Sequence, residues 1–177
     1  MFFEMSVDGG RCGVAASTQI LLVRADGDDL SMLISSFRET KEAISGDDEL
    51  KRRVGAHFDE LSDAIRQLFV ISGVLRRVPK EKSSVRFAIS EGDREILKDV
   101  SDPSCSADVK AKWPPGSFRL LTTVHTLATS LSCIGVMLNY LWVEEVPLLT
   151  GYELEEVEYF RDSLESCLVQ ARPHASE

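Results

Sequence analysis

From Leu120 to Val143 the chain reads LLTTVHTLATSLSCIGVMLNYLWV, with no Lys, Arg, Asp or Glu, in a protein whose residues are 28% charged. Such a run is either surrounded by protein or embedded in a membrane, because a helix without a charged face has no side to give to water. Val124, Leu127, Leu131, Ile134, Leu138 and Leu141 recur at alternating steps of three and four, which puts them on one stripe and predicts a central helix. The other side carries Thr122, Thr126, Thr129, Ser130, Cys133 and Met137, mostly small or hydroxyl-bearing groups that admit a close neighbour and can bond back to helix carbonyls. Four Thr, two Ser, His125 and Asn139 lower the hydropathy, Glu144 and Glu145 follow at once, and no Lys/Arg cluster lies close behind. A core helix is therefore preferred to a membrane span.

A second long apolar series supplies the expected partner. Val54, Phe58, Leu61, Ile65, Leu68 and Leu75 follow a heptad-like spacing within a helix that opens at Asp47-Asp48-Glu49. Residues 54–75 and 120–141 would each span about 33 Å and are read as the core pair.

Around that pair, Asp26-Gly27-Asp28-Asp29 offers cap chemistry for a helix with Leu30, Leu33, Ile34, Phe37 and Ile44 inward, ended by Gly46. Val85, Phe87 and Ile89 alternate over 84–90, the clearest strand signal, and are expected to pair with the apolar run Gln19–Val23. Residues 1–25 are read as two short strands, a hairpin, with a helix beginning near Val14 as the other reading. Ser90 with Asp93 and Thr150 with Glu153 resemble capping boxes, the second opening a last helix with Leu154, Val157, Phe160, Leu164 and Leu168 inward. Residues 102–117 are a loop, the central helix begins near Ser117, Pro147 stops it, and 173–177 form a frayed tail. The expected fold class is mainly α: one domain over 1–172, a bundle of about five helices with a small peripheral β element from the N-terminal residues and 84–90.

Net charge −9 disfavours non-specific attraction to nucleic acid and anionic membranes. Cys12, Cys105, Cys133 and Cys167 are dispersed, without C-x-x-C or a Cys/His pairing at zinc spacing, so neither a metal nor a cofactor is expected. The start MFFEMSVDGG lacks a basic n-region and an apolar h-region, and a cytoplasmic location is expected.

Few residues suggest chemistry, and no catalytic residue is assigned. His125, Thr129 and Cys133 stack on the small-residue face of the central helix, with Thr122 before them and Tyr140 beyond, and could line a small polar pocket. The simpler reading is a hydrogen-bonded core histidine beside an inert thiol. His57 reads as a boundary residue and His174 as part of the tail. A basic cluster, Arg76, Arg77, Lys80, Lys82 and Arg86, spans the helix-to-strand connection and reads first as a solvated turn. On the last helix Glu155, Glu158, Asp162 and Glu165 recur as one acidic stripe. The expectation is a non-enzymatic interaction protein that uses a helix face or this stripe to engage a protein partner, basic in character or a copy of itself. A small-molecule-binding helical domain with its pocket against the central helix is the alternative, and a membrane-embedded protein the third reading.

Overall fold

The computed structural model describes residues 20–77, 84–100 and 116–171. Strand β1 (Ile20–Ala25) leads into helix α1 (Gly27–Ala43), followed by α2 (Asp47–Val54) and α3 (Phe58–Leu75). Strand β2 (Ser84–Arg86), helix α4 (Glu91–Lys98) and strand β3 (Phe118–Thr123) come next, then α5 (Val124–Tyr140), α6 (Glu145–Thr150) and α7 (Leu154–Ala171). Seven helices and a three-stranded sheet among the described residues make the fold mainly α. Residues 1–19 of the expected hairpin and most of the loop, along with the tail, Lys80 and Lys82, fall outside the described residues, and the rest of the hairpin's second strand is β1.

The charge-free run is not one helix. Its first four residues belong to β3, whose antiparallel partner is β1 and whose parallel partner is β2, giving the order β1-β3-β2. The expected pairing of 84–90 with the N-terminal run is thus replaced by pairing of each with β3, and the strand itself covers only Ser84–Arg86. A middle strand buried on both faces reads as continuous apolar sequence, which is why helical spacing could absorb it. Leu21, Val23, Phe118 and Leu120 enter the main core, whereas Leu121 packs with Ala88 and Leu97 on the other face, with Ile20, Leu22 and Val100 around them. Thr123 then starts α5 by accepting a hydrogen bond from the Thr126 N–H at 3.0 Å.

The helix at the centre is α1. It packs on both α5 and α3 and also touches α6, whereas α5 has α7 as its other large neighbour. The expected pair 54–75 and 120–141 is corrected accordingly: α1 is the principal partner of each. Its capping box is complete, with Asp26 accepting from the Asp28 and Asp29 N–H groups and Asp29 Oδ2 accepting from the Asp26 N–H at 2.8 Å. Leu30, Met32, Leu33, Ile34 and Phe37 are buried nearly all round it, and the Phe37 ring stacks on Phe87 at 6.3 Å. Each such side chain is worth roughly 1.5–3 kcal/mol of burial.

The predicted long helix from Asp47 breaks at Gly55, whose φ of 84° is left-handed and whose N–H bonds Lys51 O at 3.0 Å. Its restart is fixed by Asp47, which accepts from the Phe58 N–H and bonds His57 Nδ1, both at 2.7 Å, while Glu60 accepts from the His57 N–H. These two contacts with Asp47 lower the Asp47 carboxyl below its ordinary value. Pro147 does not end the central helix, which stops at Tyr140; it sits in the first turn of α6, where a missing N–H costs nothing. The Thr150 hydroxyl likewise serves the α6–α7 turn, accepting from the Tyr152 N–H, while Glu153 receives no cap from it.

Candidate functional site

At the first turn of α5 two of its side chains converge on one carboxylate of α4. Ser90 holds the start of α4 by accepting from the Asp93 N–H at 3.1 Å, but Asp93 does not complete the expected capping box. Its Oδ2 instead receives His125 Nδ1 at 2.8 Å and the Thr126 hydroxyl at 3.2 Å, and Thr126 Oγ1 accepts from the Ile89 N–H at 3.2 Å. Asp93 is almost enclosed, with 8% of its side chain exposed, while His125 keeps 47%. Donation from Nδ1 to the carboxylate selects the tautomer that leaves Nε2 as an acceptor. A Cβ added at Gly55 would stand 3.9 Å from Nε2 and 3.5 Å from Thr129 Oγ1, so the chain break between α2 and α3 lies beside the imidazole.

An oriented histidine of this kind can accept a proton or a hydrogen bond from an approaching group. His125 is therefore a half-exposed, carboxylate-bound ring and not the enclosed core histidine of the sequence reading. The candidate pocket residues are divided among different environments. Thr129 is buried beside Gly55 and His125. Thr122 is fully buried in β3, and its hydroxyl lacks a partner among the described residues. Cys133 faces α1, where its carbonyl accepts from the Thr40 hydroxyl at 2.9 Å; burial pushes its thiol up to about 12, and that of Cys167 up to about 11. Such thiols are not nucleophiles at neutral pH. Tyr140 lines a separate cleft of about 150 Å³ with Ala43, Ile44, Arg53, Val136 and Asn139, well below the several hundred Å³ usual for drug-sized ligands. Among the described residues no group of three His, Cys, Asp or Glu side chains could hold a metal ion.

The surface is more distinctive than the interior. Between the end of α5 and the end of α6, Tyr140, Trp142, Val143, Leu148 and Leu149 are all exposed, Trp142 by 75% and Leu148 by 83%. The backbone beneath them is well ordered by hydrogen bonds. Leu141 N–H bonds Met137 O at 3.0 Å, Trp142 N–H bonds Glu145 Oε2 at 2.9 Å, and Glu145 N–H bonds Trp142 O at 2.8 Å. Thr150 closes the corner by donating to Val146 O at 2.6 Å. Glu144 and Glu145 are exposed in the same stretch, and Glu153 just beyond it. The sequence holds the signal in retrospect: Trp142-Val143 and Leu148-Leu149 abut charges and a proline, out of phase with any helix long enough to bury them.

A second exposed apolar stripe runs along the C-terminal half of α3, where Phe69, Val70 and Val74 lie 48–65% exposed. Arg66 precedes it and Arg76 and Arg77 follow it, all exposed. Of the other basic candidates, Arg86 donates to Val100 O at 2.8 Å. The α7 residues Glu155, Glu158, Asp162 and Glu165 are exposed along one helix, with Arg161 bonded to Asp162.

No family model, curated protein or solved structure matches this chain. No described helix is long and apolar enough to cross a membrane.

Proposed function

We propose that this is a non-enzymatic protein-binding module whose docking surface is the α5–α6 corner. The observation that carries the reading is the exposure of Tyr140, Trp142, Val143, Leu148 and Leu149 on a hydrogen-bonded corner. Aromatic and aliphatic side chains are held in water there by a backbone that fixes their positions, which is the condition for a preformed binding site. Trp and Tyr at the centre of a patch are also the residues most often found as binding hot spots. Glu144 and Glu145 lie between the patch's apolar residues in sequence and Glu153 follows them, so the partner surface is apolar with basic residues at its edge. The acidic stripe of α7 adds long-range attraction for the same kind of partner.

A photoreactive residue at position 148, with a control at the α7 position 158, tests this in extract from the protein's own cells. One discrete crosslinked protein from 148, absent from 158 and from a variant that also carries Trp142→Ser, is expected. Identical products from both positions, or none, would contradict it.

A further inference from the structure

Resting on the docking surface just described, we infer that its partner is a second copy of this chain, which presents the outer face of α3. Two exposed apolar surfaces lie on one molecule and differ in the charge around them. Phe69, Val70 and Val74 have Arg76 and Arg77 at the C-terminal end of their stripe, while the α5–α6 corner has Glu144 and Glu145, with Glu153 three residues past its end. Residues 66, 69, 70, 73, 74 and 77 recur at helical spacing on one face, about 16 Å from end to end. Such a face offers an apolar ridge with two arginines at its C-terminal end, Arg66 at the other end being paired with Asp63, and Gly73 leaves the backbone open to close approach by Trp142 or Leu148.

Both surfaces are exposed, so neither covers the other within one molecule. Opposite charge draws the α3 face of one copy to the corner of the next, and like charge opposes α3-to-α3 and corner-to-corner contacts. The contact is therefore head-to-tail. Each copy that joins leaves one α3 face and one corner unfilled, so assembly continues beyond two chains unless a ring closes. An acidic chain gains nothing from anionic lipid overall, which favours a protein over a membrane as the occupant of the α3 face.

Light scattering across a concentration series, on the full chain, tests the inference. The weight-average mass should rise with concentration at low salt. It should fall back toward one chain when salt is raised from about 0.01 M to about 1 M, as the Debye length shrinks from about 30 Å to about 3 Å. Arg76→Glu/Arg77→Glu and Glu144→Arg/Glu153→Arg should each remain monomeric, and an equimolar mixture of the two should associate again, because each swapped face then meets its opposite. Circular dichroism confirms that both variants are folded. A wild type that stays monomeric throughout overturns the inference, as does association that survives both swaps, or binding to phosphatidylserine vesicles that depends on Arg76 and Arg77. If the wild type is monomeric while position 148 still crosslinks one discrete different protein, the self-partner falls and the docking surface stands.

Discussion

Along the α1–α5 seam the protein buries hydroxyls, and at the α5–α6 corner it puts Trp142 and Leu148 into water. Thr40 lies in the seam itself, and Ser36 on α1 and Thr126, Thr129 and Ser130 on α5 are enclosed in and around it, Thr126 against Asp93 of α4 and Thr129 beside Gly55. Thr40 donates to Cys133 O, Ser130 to Thr126 O, Ser36 to Leu33 O and Thr126 to Asp93. Small side chains bring the helices close, and these four hydroxyls find acceptors in the helix backbone or in Asp93, so their burial carries little penalty. The seam is polar because the fold can satisfy it. The corner has no such explanation: its backbone is ordered, its side chains contribute little to the core, and exposing them costs solvation without a return inside the chain. That difference assigns the seam to stability and is what the proposed docking role of the corner rests on.

The comparison breaks if the seam does not carry the stability. Phe37→Ala should have the largest effect, about 3–5 kcal/mol, because its ring is fully buried at the hub helix and stacks on Phe87; chemical denaturation measures it. Asp29 sharpens the same point by pH. Burial, reinforced by the nearby Asp26 charge, raises its carboxyl to about 7. The folded-state value lies above the unfolded one, so the stability this group contributes is fully present below about pH 4 and is lost as pH rises through about 7. Asp29→Asn cannot ionise and should gain on the wild type across that window, by up to roughly 4 kcal/mol. A stability difference independent of pH between 4 and 8 would sink this assignment.

Asp93→Ala is smaller, at about 1–3 kcal/mol, for stranding the Thr126 hydroxyl and loosening His125. Nuclear magnetic resonance of the His125 ring should then show its tautomer preference lost, whereas a purely apolar role for this end of α5 predicts no change in the ring.

Most of what depends on local periodicity is legible in the sequence. The apolar face of α1, the starts of α1 and α4, and the inward residues Val157, Phe160 and Leu164 of α7 were legible because cap chemistry and helical spacing act over a few residues. What depends on distant partners was not. β3 passed for helix because Leu120 to Thr123 are buried on both sides by strands and helices that local spacing does not report. Asp93 looked like the second half of a capping box, and its true partners lie more than thirty residues away on α5. The spacing also favours the aliphatic stripe of α5, yet Leu131 and Leu138 are only partly buried while Thr126, Ser130 and Cys133 are enclosed, Cys133 against Thr40 of α1 and Thr126 against Asp93 of α4, where close approach selects small groups over large ones. Of the candidate site residues, His125 and Thr129 fall together and Tyr140 does not.

The smallest expected effect on stability is the most informative. In Trp142→Ser/Leu148→Ser both altered side chains are largely exposed, and unfolding free energy should stay within about 0.5 kcal/mol of the wild type. Thermal unfolding and light scattering on the same sample test the docking role of the corner: an unchanged Tm is expected together with a weight-average mass that no longer rises with concentration. A Tm lowered by many degrees, with association intact, would show that the corner serves the fold and would contradict it.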